Sequence, residues 1–111
     1  MVAHNNDASN THGLDGFGGR YENYKHLGKN TFSQLNAVQT MVSVLKESNE
    51  KLVIFPIGPL TNIASLLLAY PELKDKIDSI SLMGGAFKHG NRSSAAEFNF
   101  LMDPEAARIV F

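Results

Sequence analysis

The sequence predicts an α/β fold, part of an open, mainly parallel sheet with flanking helices. Three observations carry this. Two short apolar runs, LVIFPI (52–57) and SISLMG (79–84), read as strands covered on both faces. An apolar-rich helical stretch lies between them. The order strand–helix–strand, then loop and helix, is a βαβ pattern, implying parallel strands with a right-handed crossover.

Each element has its own signal. Residues 1–30 are rich in Gly, Asn and His and hold few periodic apolar positions, so they are expected to be loop-rich. Leu35, Val38, Val42 and Leu45 recur at spacings of three and four, predicting an amphipathic helix over 32–47 capped by Thr31 or Ser33. LVIFPI ends at Gly58-Pro59, and a second helix is expected over 60–69, broken by Pro71. ELKDKI makes a short amphipathic turn before SISLMG. Residues 84–96 read as a polar loop. Asp103-Pro104-Glu105 is a helix start, with Asp as N-cap and Pro in the first turn. Residues 1–111 are expected to form a single α/β segment.

Composition excludes several function classes. Hydrophobic residues make up 43% and charged residues 19%, as in a globular chain. The net charge is -1 without a basic cluster, so nucleic acid and anionic membranes are not expected partners. No cysteine is present, which excludes disulfides and thiolate sites. The longest apolar run, Ile63 to Tyr70, is too short to span a bilayer, and the first residues lack a signal-peptide stretch. A cytoplasmic location is expected.

Three stretches could carry chemistry. THGLDGFGG (11–19) offers His12 and Asp15 as substrate contacts, or is simply a loop whose glycines take positive φ. IGPLTN (57–62) sits where a strand's last carbonyls are unpaired. There the Ile57 carbonyl could bind a hard cation, or Gly58 and Pro59 merely start a helix. MGGAFKHGNRSSAAEFN (83–99) offers Met83, Asn91, Glu97 and Asn99. Asn and Glu together supply the donors and acceptors that hold a polyol, although a turn or a solvent-facing role is open for each. In EFNF (97–100) polar and apolar residues alternate, so an extended chain would put Glu97 and Asn99 on one face. In open parallel sheets, ligands bind beyond the carboxyl ends of the strands, where the last two stretches lie.

These stretches resemble a known family. THGLDGFGG, IGPLTNIA, MGGA, Gly90-Asn91 and AAEFNFLMDPEAARIVF, in this order and spacing, are similar to the inosine-uridine preferring nucleoside hydrolases. The resemblance implies their Rossmann-related nucleoside hydrolase fold, here incomplete, and calcium-assisted hydrolysis of ribonucleosides to ribose and free base. It also implies homo-oligomers. By position, Met83, Asn91, Glu97 and Asn99 look like ribose-pocket residues. His12 looks like the histidine near base and ribose, and Ile57 looks like the residue whose main-chain carbonyl binds calcium. Thr61 and Asn62 look structural. The family's D-x-D-x-G-x-D-D motif and its later His-Asp pair have no counterpart here; Asp7 and Asp15 do not fit the first. An internal segment of the fold, inactive alone, is therefore the expectation. The alternative is a non-catalytic nucleoside- or ribose-binding module, or an inactive remnant of the fold.

Overall fold

The computed structural model describes residues 9–24 and 34–111. The chain divides into two compact units, Met1–Phe32 and Ser33–Phe111. Thr31 and Ser33, the expected caps, and Asp7 lie outside the described residues.

In the first unit, α1 (Ser9–His12) and α2 (Tyr21–Tyr24) flank the GLDGFGG loop. Asp15 organises that loop. Its carboxylate accepts backbone N–H bonds from Phe17 (3.0 Å), Gly19 (2.9 Å) and Tyr21 (3.0 Å). Gly13 follows α1 with φ 77, and a side chain there would also press on the Gly18 Cα at 3.3 Å.

The second unit begins with α3 (Ala37–Glu47). This helix starts five residues later than the apolar spacing predicts. Asn36 accepts from the Gln39 N–H (2.9 Å) while the Gln39 side chain accepts from the Asn36 N–H (3.0 Å), closing a capping box that outcompetes continuation through Leu35. β1 (Leu52–Ile54) is followed by α4 (Thr61–Ala69), a 3-10 helix (Pro71–Lys76) and β2 (Ile77–Ile80). α5 (Phe98–Met102) and α6 (Pro104–Val110) complete the unit.

β1 and β2 pair in parallel, as the βαβ order requires. Backbone bonds extend the ladder past the regular strands: Ser81 donates to Ile54 (2.9 Å) and Met83 donates to Pro56 (2.9 Å). The pairing steps from Leu52↔Ile77 to Val53↔Ser79, so Asp78 is an extra residue. That irregularity lets both Ile77 and Ile80 pack against the helices, which strict alternation forbids.

The core has two clusters that share α4. Leu60, Ile63 and Ala64 meet Ala106 and Ala107 of α6. Leu66 meets Leu45 of α3 and Leu73 of the 3-10 helix. Ile54 packs against both clusters.

The expectation that both faces of LVIFPI are covered fails for this chain. Val53, Phe55 and Ile57 are 44%, 67% and 77% exposed, alternating with the half-buried Leu52, Ile54 and Pro56. Helices cover the Leu52–Ile54 side, and the opposite side is open among the described residues. A second correction concerns EFNF. It is not extended: Glu97 is the N-cap of α5, and Phe98, Asn99 and Phe100 are helical. Three backbone N–H groups outweigh a four-residue alternation.

Candidate functional site

The site lies beyond the carboxyl ends of β1 and β2, where the extended ladder delivers Ile57 and Met83. The chain then turns through Gly84 and Gly85 toward the loop and α5. Gly84 is required by packing, since a Cβ there would sit 2.6 Å from the Phe100 ring. Gly85 has φ 80, a conformation glycine adopts without strain. Phe100 in turn stacks 5.8 Å from the Phe111 ring centroid. Helix α5 is thereby seated on the strand end.

Glu97 ties the turn after β2 to α5. One carboxylate oxygen accepts from the Asn99 N–H (2.9 Å). The other accepts from Gly85 (3.1 Å) and Phe100 (3.2 Å). Its backbone carbonyl accepts from Leu101 (2.9 Å). The remaining first-turn donor, the Phe98 N–H, goes to Asn91 Oδ1 (2.8 Å). The N–H groups of Phe98, Asn99 and Phe100 are therefore all satisfied by Asn91 or Glu97.

Asn99 is buried, at 6% exposure. Its Nδ2 donates to the Met83 carbonyl (3.0 Å) and to Met83 Sδ (3.3 Å). Among the described residues no hydrogen bond engages its Oδ1 beside these two made by Nδ2.

Asn91 is presented by a compact turn. Arg92 and Ser93 donate backbone N–H groups to the Ala96 carbonyl (3.0 and 3.4 Å), and Ser93 Oγ accepts from Ala95 and Ala96. A side chain at Gly90 would overlap the Ala96 backbone. Arg92 lies over the Phe98 ring, 5.2 Å from its centroid.

Met83, Asn91, Glu97 and Asn99 thus converge. Ile57 lies beside them, next to the Pro56–Met83 backbone bond, and among the described residues its carbonyl accepts no backbone hydrogen bond. His12 belongs to the first unit, at the end of α1, where its carbonyl accepts from Gly18 (2.6 Å).

Local reading of the sequence missed one further pair. Thr61 Oγ1 donates to Asp103 Oδ2 at 2.5 Å, joining the starts of α4 and α6. Asp103 Oδ1 also caps α6 by accepting from Ala106 (3.0 Å). The Thr61 hydroxyl first, and the Ala106 N–H next, hold the Asp103 carboxyl below the usual carboxylate range. Asp15 is likewise lowered, by the N–H groups of Tyr21 foremost, then Gly19 and Phe17. The cap at Asp103 was legible from the Asp-Pro-Glu signal; its partner 42 residues away was not.

The donor set for a hard cation is thin. Among the described residues no three His, Cys, Asp or Glu side chains gather. The carboxylates of Asp15, Glu97 and Asp103 are engaged by backbone N–H groups, and that of Asp103 also by Thr61. The described residues alone do not match a calcium site.

The family model of the inosine-uridine preferring nucleoside hydrolases matches residues 1–111. The chain belongs to this family. It is 46% identical over 106 residues to the pyrimidine-specific ribonucleoside hydrolase RihA of Shewanella oneidensis, covering 94% of this chain and 32% of that protein. Against RihA of Photobacterium profundum it is 54% identical over 76 residues, 68% of this chain and 24% of the relative. Among solved structures, the plant nucleoside hydrolase PpNRh1 superposes with a TM-score of 0.75 at 33% identity, over 96% of this chain and 33% of that one. The inosine-uridine preferring nucleoside hydrolase of Bacillus anthracis does so at 0.71 and 30%, over 78% and 31%. The chain therefore spans about a third of the length of relatives such as the Shewanella enzyme. The α/β class with parallel strands, expected from sequence, is that of these nucleoside hydrolases.

Proposed function

We propose that this chain supplies the ribose-facing part of a ribonucleoside hydrolase site, in a protein that cleaves the N-glycosidic bond to give ribose and free base. The observation that carries the reading is the convergence of Met83, Asn91, Glu97 and Asn99 at the end of β2 through direct hydrogen bonds.

Each group has capacity left for a sugar. A carboxylate offers about four lone-pair positions, and Glu97 uses three of them on backbone donors. The remaining position accepts a ribose hydroxyl. Among the described residues Asn91 is engaged through Oδ1, leaving Nδ2 as a donor, and Asn99 through Nδ2, leaving Oδ1 as an acceptor. Met83 is half exposed and provides an apolar contact for the ring. Breaking an N-riboside builds positive charge on the sugar, so a fixed carboxylate beside it stabilises the transition state more than the ground state. His12 enters the reading as a contact for base and ribose.

Relatives bear both pyrimidine-specific and purine-preferring names. Ribose is common to both, so the reading commits to the ribonucleoside class. Calcium belongs to it as a cofactor of the whole hydrolase, with the Ile57 carbonyl as a donor from this chain. Because the described residues do not match a full calcium site, nothing in the role assigned to this chain passes through the ion. A cytoplasmic location and homo-oligomeric assembly complete the reading. Among the described residues no helix is long and apolar enough to cross a membrane.

Titration calorimetry of the 111-residue chain with ribose and inosine, alongside a base-release assay with inosine and uridine, tests the proposal. Expected are binding of both ligands, loss of that binding in Glu97→Ala, and no release of base. Absence of binding in the unaltered chain overturns the ribose-pocket reading. Release of base overturns the restriction of this chain to a binding role.

A further inference from the structure

The carbonyl of Ile57 and the polar groups of α5 are held in one frame by a closed circuit of bonds. The Pro56 carbonyl accepts from Met83 N–H at 2.9 Å. The Met83 carbonyl accepts from Asn99 Nδ2 at 3.0 Å. From Asn99 the chain runs to Asp103, whose Oδ2 accepts from Thr61 Oγ1 at 2.5 Å. From Thr61 the chain runs back through Leu60, Pro59, Gly58 and Ile57 to Pro56. Three hydrogen bonds and two short covalent spans thus ring the strand ends.

The Thr61–Asp103 bond is the link that closes this ring on the helix side. Both ends are fixed independently of each other. Asp103 is locked by its second bond to Ala106 and sits at the pivot between α5 and α6, with φ -152 and ψ 79. Thr61 opens α4, and its carbonyl accepts from Ser65 Oγ at 2.8 Å. Leu60 is buried between α4 and α6 and anchors the apolar side of the return span. Gly58 is unpacked: a Cβ there would meet nothing within 4 Å. The Ile57–Gly58 segment runs between two held ends, the ladder at Pro56 and the start of α4 at Thr61, where the hydroxyl bond adds the link to α6.

We propose that Thr61 and Asp103 are positioning residues, which hold the Glu97–Asn99 groups of α5 in register with the strand ends at Pro56 and Met83. The inference rests on the ribose-pocket reading above. Met83 and the Glu97–Asn99 groups lie on two different segments and grip one small ligand only if their spacing is held to a fraction of an ångström. A hydroxyl–carboxylate bond between the two helix starts does this without touching the ligand.

The test records backbone amide spectra and ribose titrations of the 111-residue chain, unaltered and as Thr61→Val and Thr61→Ser. Valine keeps the shape and removes the hydroxyl; serine keeps the hydroxyl. Thr61→Val is expected to move the amides of Gly58, Gly85 and Asn99 and to weaken ribose binding by about fivefold or more. Thr61→Ser is expected to restore both. Shifts confined to the first turns of α4 and α6, with ribose affinity unchanged, overturn the proposal. Thr61→Ala, which also removes the hydroxyl and leaves the Asp103 cap on Ala106 in place, is read out in the same way if Thr61→Val does not fold. If the unaltered chain takes up no ribose, the ribose-pocket reading falls, and the amide shifts at Gly58, Gly85 and Asn99 still decide this one.

Discussion

The buried side chain of Asn99 holds Met83 by two atoms at once, donating its Nδ2 to the main-chain carbonyl at 3.0 Å and to the sulfur at 3.3 Å. A helix residue and a strand-end residue 16 positions apart are thereby one structural unit. Asn99→Ala removes the donor and is expected to lower stability by about 1 kcal/mol, measured by urea unfolding. Asn99→Asp is expected to cost more near neutral pH, because a carboxylate would face the Met83 carbonyl. Equal stability of Asn99→Asp and the unaltered chain would contradict the assignment.

Glu97 stabilises the fold through the same backbone donors that orient it. Glu97→Ala frees the N–H groups of Gly85, Asn99 and Phe100. The expected loss is about 1–2 kcal/mol, as for other N-cap deletions. Glu97→Gln keeps one acceptor oxygen and should fall between the two. Unfolding curves of the three proteins check the order.

Glycines in two similar-looking pairs should respond oppositely. A Cβ at Gly84 would meet the Phe100 ring at 2.6 and 2.8 Å, whereas one at Gly58 meets nothing within 4 Å. Gly84→Ala is expected to destabilise by about 1–3 kcal/mol, and Gly58→Ala to stay within about 0.5 kcal/mol. Thermal unfolding of both variants distinguishes them.

Acid should act through Asp103. Its carboxyl is held below its unfolded value by Thr61 and Ala106. A depressed folded pKa stabilises fully above the unfolded value, near about 4, and the contribution disappears as pH falls through the folded pKa. Melting temperatures measured from about pH 6 down to about pH 3 should therefore drop, and drop less in Asp103→Asn. An identical pH dependence in the variant would contradict the assignment. Asp15 acts with the same sign within its own unit.

Much of this was legible in the sequence where the signal is local. The start of the first apolar run, the break at Pro71 and the cap at Asp103 fall where the residues put them, whereas β2 begins at Ile77, two residues ahead of the 79–84 run, and its ladder continues by single bonds to Met83. The start of α3 was legible too, in the N-A-V-Q of its capping box, but the periodicity of Leu35 extended the helix too far. EFNF misled because four alternating residues fit a strand as well as a capped helix. Only Gly85, twelve residues upstream of Glu97, and the first-turn N–H groups decide for the helix. The open face of β1 is illegible in principle, since a continuous apolar run looks the same with one face covered or two. Met83–Asn99 and Thr61–Asp103 are long-range pairs without a local signal. Met83, Asn91, Glu97 and Asn99 are legible as candidates from the stretch 83–99 and take a ribose-pocket role by family resemblance, and their convergence here is a matter of tertiary packing.

The most direct test of the central claim is an amide-shift titration of the 111-residue chain with ribose. The account predicts saturable shifts at Gly85, Asn91, Glu97 and Asn99, abolished in Glu97→Ala. Saturable shifts elsewhere, or none at these four positions, would contradict it.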